Sequence, residues 1–120
     1  MASRKDERIE AFRARYLPKL IESYQPSEVL VFGSRARGTQ LKESDLDLMV
    51  VSRLFEGIPF IERAHRVLWT LRTPFPVELL CYTPEEFEQK KTEIGLVRIA
   101  SEEGIDLLTD QRPSAEAPAR

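Results

Sequence analysis

The chain has 120 residues, with 18 Lys and Arg against 20 Asp and Glu, for a formal net charge of −2. That length fits one domain with a single core and leaves no room for a separate substrate-binding lobe. Balanced charge argues against a nucleic-acid coat or a polybasic membrane binder, the single cysteine excludes an intramolecular disulfide, and no apolar stretch approaches the roughly 18 residues of a membrane span. The lone His65 leaves little for a zinc site. The opening Met-Ala-Ser-Arg-Lys-Asp-Glu-Arg is charged where a secretion signal needs an apolar core, so a soluble cytoplasmic domain is expected.

Apolar side chains at Ile9, Phe12, Tyr16, Leu17, Leu20 and Ile21 follow helical spacing and predict a helix from about Lys5 to Tyr24. Pro18 lies inside it, removes a backbone donor and disfavours helical geometry at Leu17, so a kink or two short helices are expected. Glu28 to Phe32 is a compact apolar run stopped by Gly33 and reads as a buried strand. After a polar stretch from Ser34 to Ser44, Asp45 to Ser52 alternates and then becomes wholly apolar, as a second strand would. Gly57 and Pro59 punctuate the next connection.

Phe60, Ile61, Ala64, Val67, Leu68 and Leu71 form one predicted helix face that ends near Arg72. Pro76 to Tyr82 reads as a third strand. Thr83-Pro84-Glu85-Glu86 then carries a capping-box start, with Thr as N-cap and Glu three residues on. A broken helix to Glu103 is predicted, interrupted near Gly95, followed by a short edge strand at Ile105 to Leu108. From Gln111 the chain is rich in Pro, Ala and charge, which predicts a disordered tail over 111–120 behind one domain over 1–110. Alternating strands and helices give an α/β or α+β fold.

The chemistry is concentrated between Val29 and Val51. Gly33-Ser34 ends a buried strand and opens a turn, where a ligand can approach the backbone and free amides can hold a phosphate. Arg35 and Arg37 on the same loop read equally as phosphate contacts or as a solvated loop. Ser44 closes the loop, as a turn cap or as a further nucleotide contact. Asp45 and Asp47 are two apart on a predicted strand, hence on one face and within a few ångströms. Like charges so close call for an Arg partner, full solvation or a shared cation, and Mg²⁺ is commonly held between carboxylates and substrate phosphates. Glu78 lies in an otherwise apolar strand, where a buried carboxylate needs a partner. If that strand pairs with the Asp45–Asp47 strand, the three acids converge beside the phosphate-holding loop, an apparatus for two-metal displacement at phosphorus.

Gly33-Ser34, ten intervening residues and Asp45-Leu46-Asp47 resemble the signature of the polymerase-β-like nucleotidyltransferase superfamily. The string Gly-Ser-Arg-Ala-Arg-Gly…Ser-Asp-Leu-Asp-Leu most resembles its minimal (MNT) branch. The likeness is tight over Val29 to Val51 and looser to the Glu-Glu-Gly-Ile-Asp-Leu-Leu ending. It implies a small mixed sheet with helices packed on it, and transfer of a nucleoside monophosphate, usually AMP from ATP, with release of pyrophosphate. It further implies that Asp45 and Asp47 bind two Mg²⁺ ions and that Glu78 binds the catalytic ion and helps deprotonate an acceptor hydroxyl. Gly33 and Ser34 would hold the outer phosphates. The third acid is most often Asp in this superfamily, and here it is Glu.

Small members of that family are often paired with a separate all-helical HEPN-type protein, and some attach AMP to a tyrosine of that partner toxin. Two rival functions stand beside this one. One is a non-catalytic antitoxin that neutralises a helical partner by occlusion, and the other is transfer to a small molecule such as an aminoglycoside. Homo-oligomers are compatible with the sequence; a nucleic-acid polymerase role is not expected, because template-gripping domains and a basic stripe are both missing. Elsewhere plain readings are preferred. Gly38 serves a turn, His65 lies on a helix surface, Cys81 fills a strand core, Trp69 and Phe75 belong to the core ahead of a partner patch, and Glu85 to Lys91 form a solvated helix face.

Overall fold

The computed structural model describes residues 6–38 and 45–109. The predicted 111–120 tail therefore lies outside the described residues, as does Ser44. Asp6 caps the first helix, α1 (Glu7–Arg15), by accepting hydrogen bonds from the amides of Arg8 (2.9 Å) and Ile9 (3.1 Å). The helix stops at Tyr16, and α2 (Leu17–Tyr24) begins with Pro18 in its first turn. The expected break is thus two helices, with the proline placed where its missing donor costs nothing.

Four strands follow among the described residues: β1 (Glu28–Phe32), β2 (Leu46–Val51), β3 (Val77–Tyr82) and β4 (Ile105–Asp106). They form one mixed sheet in the order β3-β2-β1-β4, with β1 antiparallel to both β2 and β4 and β2 parallel to β3. A parallel pair needs a crossover, which α4 (Phe60–Leu71) supplies between β2 and β3. A single turn, α3 (Ser34–Arg37), leaves the end of β1, and a 3₁₀ turn (Arg53–Phe55) leaves the end of β2. Neither turn is visible in the hydrophobic pattern, because each is too short to show a period.

Both sheet faces are covered, which explains the nearly continuous apolar runs. Val29, Val31, Leu46, Leu48, Val50, Leu79 and Cys81 pack with Ile9, Phe12, Leu20, Val67 and Leu71 under α1, α2 and α4. On the opposite face Leu30, Phe32, Met49, Val51 and Tyr82 pack under α5 (Pro84–Lys91) and α6 (Leu96–Glu103), through Phe87, Val97 and Ala100. The capping box at α5 forms as expected: Glu86 N–H donates to Thr83 Oγ1 at 3.2 Å, and Thr83 N–H donates to Glu86 Oε1 at 2.9 Å. The interruption falls between α5 and α6, next to Gly95. Gly104 lets α6 end against β1: a Cβ there would lie 2.5 Å from the Ala100 carbonyl oxygen and 2.8 Å from that of Val31.

Helix α4 differs from its sequence reading. Its buried residues are Arg63, Val67 and Leu71, while Phe60 and Ile61, expected to lead the apolar stripe, are exposed. The helix is rotated so that Arg63 points inward. Its guanidinium is satisfied there, with Nε donating to the Ile58 carbonyl (2.8 Å), Nη1 to the Cys81 carbonyl (3.1 Å) and both terminal nitrogens to Glu86 (2.6 and 3.2 Å). Trp69 is likewise 71% exposed and not in the core, whereas Phe75 packs partly against the core as expected. His65 is exposed and Cys81 buried, as predicted, and burial pushes the Cys81 thiol up to about 12.

Candidate active site

The sheet register brings the predicted acids together. Asp47 stands opposite Phe32 on β1, the residue before Gly33, and opposite Glu78 on β3. Leu46 and Leu48 turn to the α1/α2/α4 face, so Asp45 and Asp47 share the other face by strand alternation, as do Glu78, Leu80 and Tyr82. Along that face the chain passes from exposed Asp45, just ahead of β2, through half-buried Asp47 to buried Met49 and Val51. Strand β3 repeats the gradient, from exposed Glu78 through half-buried Leu80 to buried Tyr82. Helices α5 and α6 therefore cover one end of the face and leave the acid end open. The buried setting expected for Glu78 is not found: it lies on the edge strand, beyond the reach of those helices.

Gly33 and Asp47 are in direct contact. Gly33 has φ +79°, and a Cβ on it would run into Asp47 Oδ2. Both reasons demand glycine, one for backbone conformation and one for space. The phosphate-loop candidate and the acid candidate are thereby one structural unit. From Gly33 the chain turns into α3, and the amides of Ala36 and Arg37 donate back to the Gly33 carbonyl at 3.1 and 3.2 Å.

Burial and the neighbouring Glu78 push the Asp47 carboxyl up to about 6; a hydrogen bond with Glu78 and the charge of Asp45 add to the rise, and Arg35 opposes it. Among the described residues, no three His, Cys, Asp or Glu side chains are gathered closely enough to hold a metal by themselves. The convergence of Asp45, Asp47 and Glu78 is thus partial, with Asp47 and Glu78 adjoining while Asp45 sits at the exposed strand entry. An all-oxygen pair of this kind fits Mg²⁺ held jointly with substrate phosphate and water, not a protein-only cage.

The two loop arginines part company. Arg37 is exposed beside Gly33, on a shallow cleft shared with Ala36, Ile99 and Glu103. Its cavity volume of about 10 Å³ has room for little more than one water and is far too small to enclose a nucleotide. Arg35 is buried, and its Nη1 donates to both carboxylate oxygens of Asp6 at 2.9 and 2.8 Å. The solvated-loop alternative is therefore not found: the guanidinium ties α3 to the cap of α1, and its charge also acts on Asp47, lowering its value. Ser34 opens α3 through its backbone. The Asp6–Arg35 and Arg63–Glu86 pairs escape a reading of the sequence, and the lone acid ahead of the first helical residue is the only local signal of the former.

No curated relative matches the sequence. Among solved structures, BolA1 from Arabidopsis thaliana superposes with a TM-score of 0.50 at 24% identity, over 62% of this chain and 93% of that one, a likeness of fold alone. A Sulfolobus solfataricus protein assigned to the nucleotidyltransferases gives 0.48 at 26% identity, over 74% of this chain and 85% of its own. The BolA domain of Arabidopsis thaliana SufE1 gives 0.49 at 20%, over 69% and 99%. The nucleotidyltransferase-domain family model matches residues 13–107, most of the chain and every strand described above. The chain belongs to the nucleotidyltransferase domain family.

Proposed function

We propose that this domain transfers a nucleoside monophosphate, AMP from ATP, to an acceptor hydroxyl with release of pyrophosphate. The observation that carries the reading is the Asp47 carboxylate, seated against Gly33 and in register with Glu78. At Gly33 the absence of a side chain lets the triphosphate come against the backbone, beside the exposed Arg37. Asp45 and Asp47, with Glu78, would hold Mg²⁺. When bound, that cation would neutralise phosphate charge and favour the alkoxide of the acceptor.

The acceptor oxygen attacks the α-phosphorus as the bond to the bridging oxygen of the β-phosphate breaks, and pyrophosphate leaves. Glu78, at the exposed end of the edge strand, takes the acceptor proton. Asp47 is largely ionised at neutral pH, because its carboxyl titrates at about 6. The open acid end suits an acceptor brought by another molecule, and a tyrosine of a helical partner protein is the acceptor we favour.

Incubating the protein with labelled ATP and Mg²⁺, alone and with candidate acceptor proteins, tests this reading by mass spectrometry. Added AMP that disappears in Asp45→Asn and Asp47→Asn supports it, and equal labelling by the variants overturns it. One observation favours a second reading, a non-catalytic module that neutralises its partner by occlusion. Glu78 stands where the superfamily most often has Asp, and it is exposed. A partner that is inhibited yet unmodified in the same experiment would support that module.

A further inference from the structure

Helix α4 turns a face to solvent that its own fold does not use. With Arg63, Val67 and Leu71 in the core, Ile61, His65 and Trp69 lie on the opposite side at i, i+4 and i+8. Ile61 and Trp69 are each 71% exposed. The indole is nonetheless held in place: the Arg72 guanidinium carbon lies 4.2 Å from its ring centroid, and Arg72 Nε donates to the Trp69 carbonyl at 3.3 Å. An aromatic anchor fixed before binding loses little freedom when it is buried. Along one flank of the stripe Glu62 and Arg66 form an ion pair at 2.7 Å.

The geometry points to this face as the site where two copies of the chain pair, α4 packing antiparallel on α4 of a second copy with both His65 side chains at the two-fold axis. Reversal of the helix sets Ile61 against Trp69 of the second copy and Trp69 against its Ile61, so the larger anchor meets the smaller at both ends. A two-fold of this kind keeps the charged flanks on the same side. It therefore places Glu62 beside Arg66 of the second copy, and Arg66 beside its Glu62, giving four alternating charges. An isologous interface requires this self-complementarity, and an arbitrary partner does not. Because α4 covers the sheet face opposite the acids, pairing leaves both candidate active sites open. A twelve-residue helix is about 18 Å long, so the contact falls below the roughly 800 Å² per partner of a standard interface and gives a reversible dimer.

Trp69 is the one tryptophan in the chain, so its emission reports the contact directly. Sedimentation and fluorescence from roughly 1 to 300 µM should show the mass doubling from 13.9 kDa as emission shifts to the blue. Ile61→Glu should weaken association at least about 100-fold with circular dichroism and melting unchanged, because the position is exposed. Glu62→Arg and Arg66→Glu should each weaken self-association about tenfold or more, and an equimolar mixture of the two should pair as well as wild type. A monomer throughout the range overturns the proposal, as does a dimer indifferent to Ile61→Glu, a mixture that fails to recover, or emission that moves only when a different protein is added.

Discussion

Strands β2 and β3 run side by side in one direction, and their two ends treat charge in opposite ways. Where they finish, Arg63 is driven inward and answered at once by the Cys81 carbonyl and the Glu86 carboxylate. The guanidinium beside Glu86 holds its carboxyl below the usual range. Where they begin, Asp45, Asp47 and Glu78 stand in a row of one sign, and Asp47 is pushed up to about 6. One end has its charge answered within the chain, and the other sets carboxyl groups of one sign side by side. An ion-paired acid and an acid crowded by like charges both leave the usual titration range, and here they do so in opposite directions.

Removing a carboxylate from the open end is the sharpest way to break the contrast. Asp47→Asn should lower nucleotidyl transfer by about 10³-fold or more, roughly 4 kcal/mol of transition-state stabilisation, while the protein stays folded. Radiolabel transfer and circular dichroism on the same preparation check both halves. At the closed end the effect should fall on stability. Arg63→Ala is expected to cost about 2–3 kcal/mol in chemical denaturation, with Arg63→Lys recovering only part because one ammonium cannot replace the fork. Residual transfer per folded molecule should stay within a few-fold of wild type.

A smaller effect is expected at Gly33. Gly33→Ala must adopt φ +79° and push the Asp47 carboxylate aside, a cost of about 1–3 kcal/mol in unfolding together with lost activity.

The smallest effect is also the one most specific to the comparison. Asp47 binds its proton more tightly folded (about 6) than unfolded (3.8), so stability should fall as pH rises from about 4 through 6. Glu86 binds its proton less tightly folded than its ordinary 4.5, so its contribution is present above that value and lost as pH falls below it. Asp47→Asn should remove the first slope and raise Tm at pH 8 by roughly 2–5 °C, on the order of 1 kcal/mol after solvent screening. Glu86→Gln should remove the second. Thermal melts from pH 3 to 8 distinguish the two, and a wild-type profile flat between 4 and 6 would count against the Asp47 setting.

Local chemistry announces what local chemistry decides. The break before Pro18, the strand that halts at Gly33, the Thr83–Glu86 box and the shared face of Asp45 and Asp47 all depend on neighbours a few residues away. The features that are not legible depend on partners far along the chain. Arg63 reads as one more polar residue until Cys81 and Glu86 arrive from 18 and 23 residues later. Arg35 reads as a loop cation until Asp6, 29 residues earlier, meets it. Glu78 reads as buried because its strand is apolar on both sides in sequence; that the strand sits at the sheet edge is a fact of topology. Trp69 reads as core because size and hydrophobicity do not say which way a helix rolls.

The contact between Gly33 and Asp47 has a genetic consequence. The two positions are far enough apart to be written as separate letters, yet a side chain at the first collides with the carboxylate at the second. Change at 33 should therefore be penalised more with Asp47 in place than in an Asp47→Ala background, so part of its cost is epistatic and disappears in the double mutant. A lineage that abandons the acid also loosens the glycine. In chains of this design the two are expected to be lost together, the acid first, with the glycine persisting only for as long as its backbone angle requires.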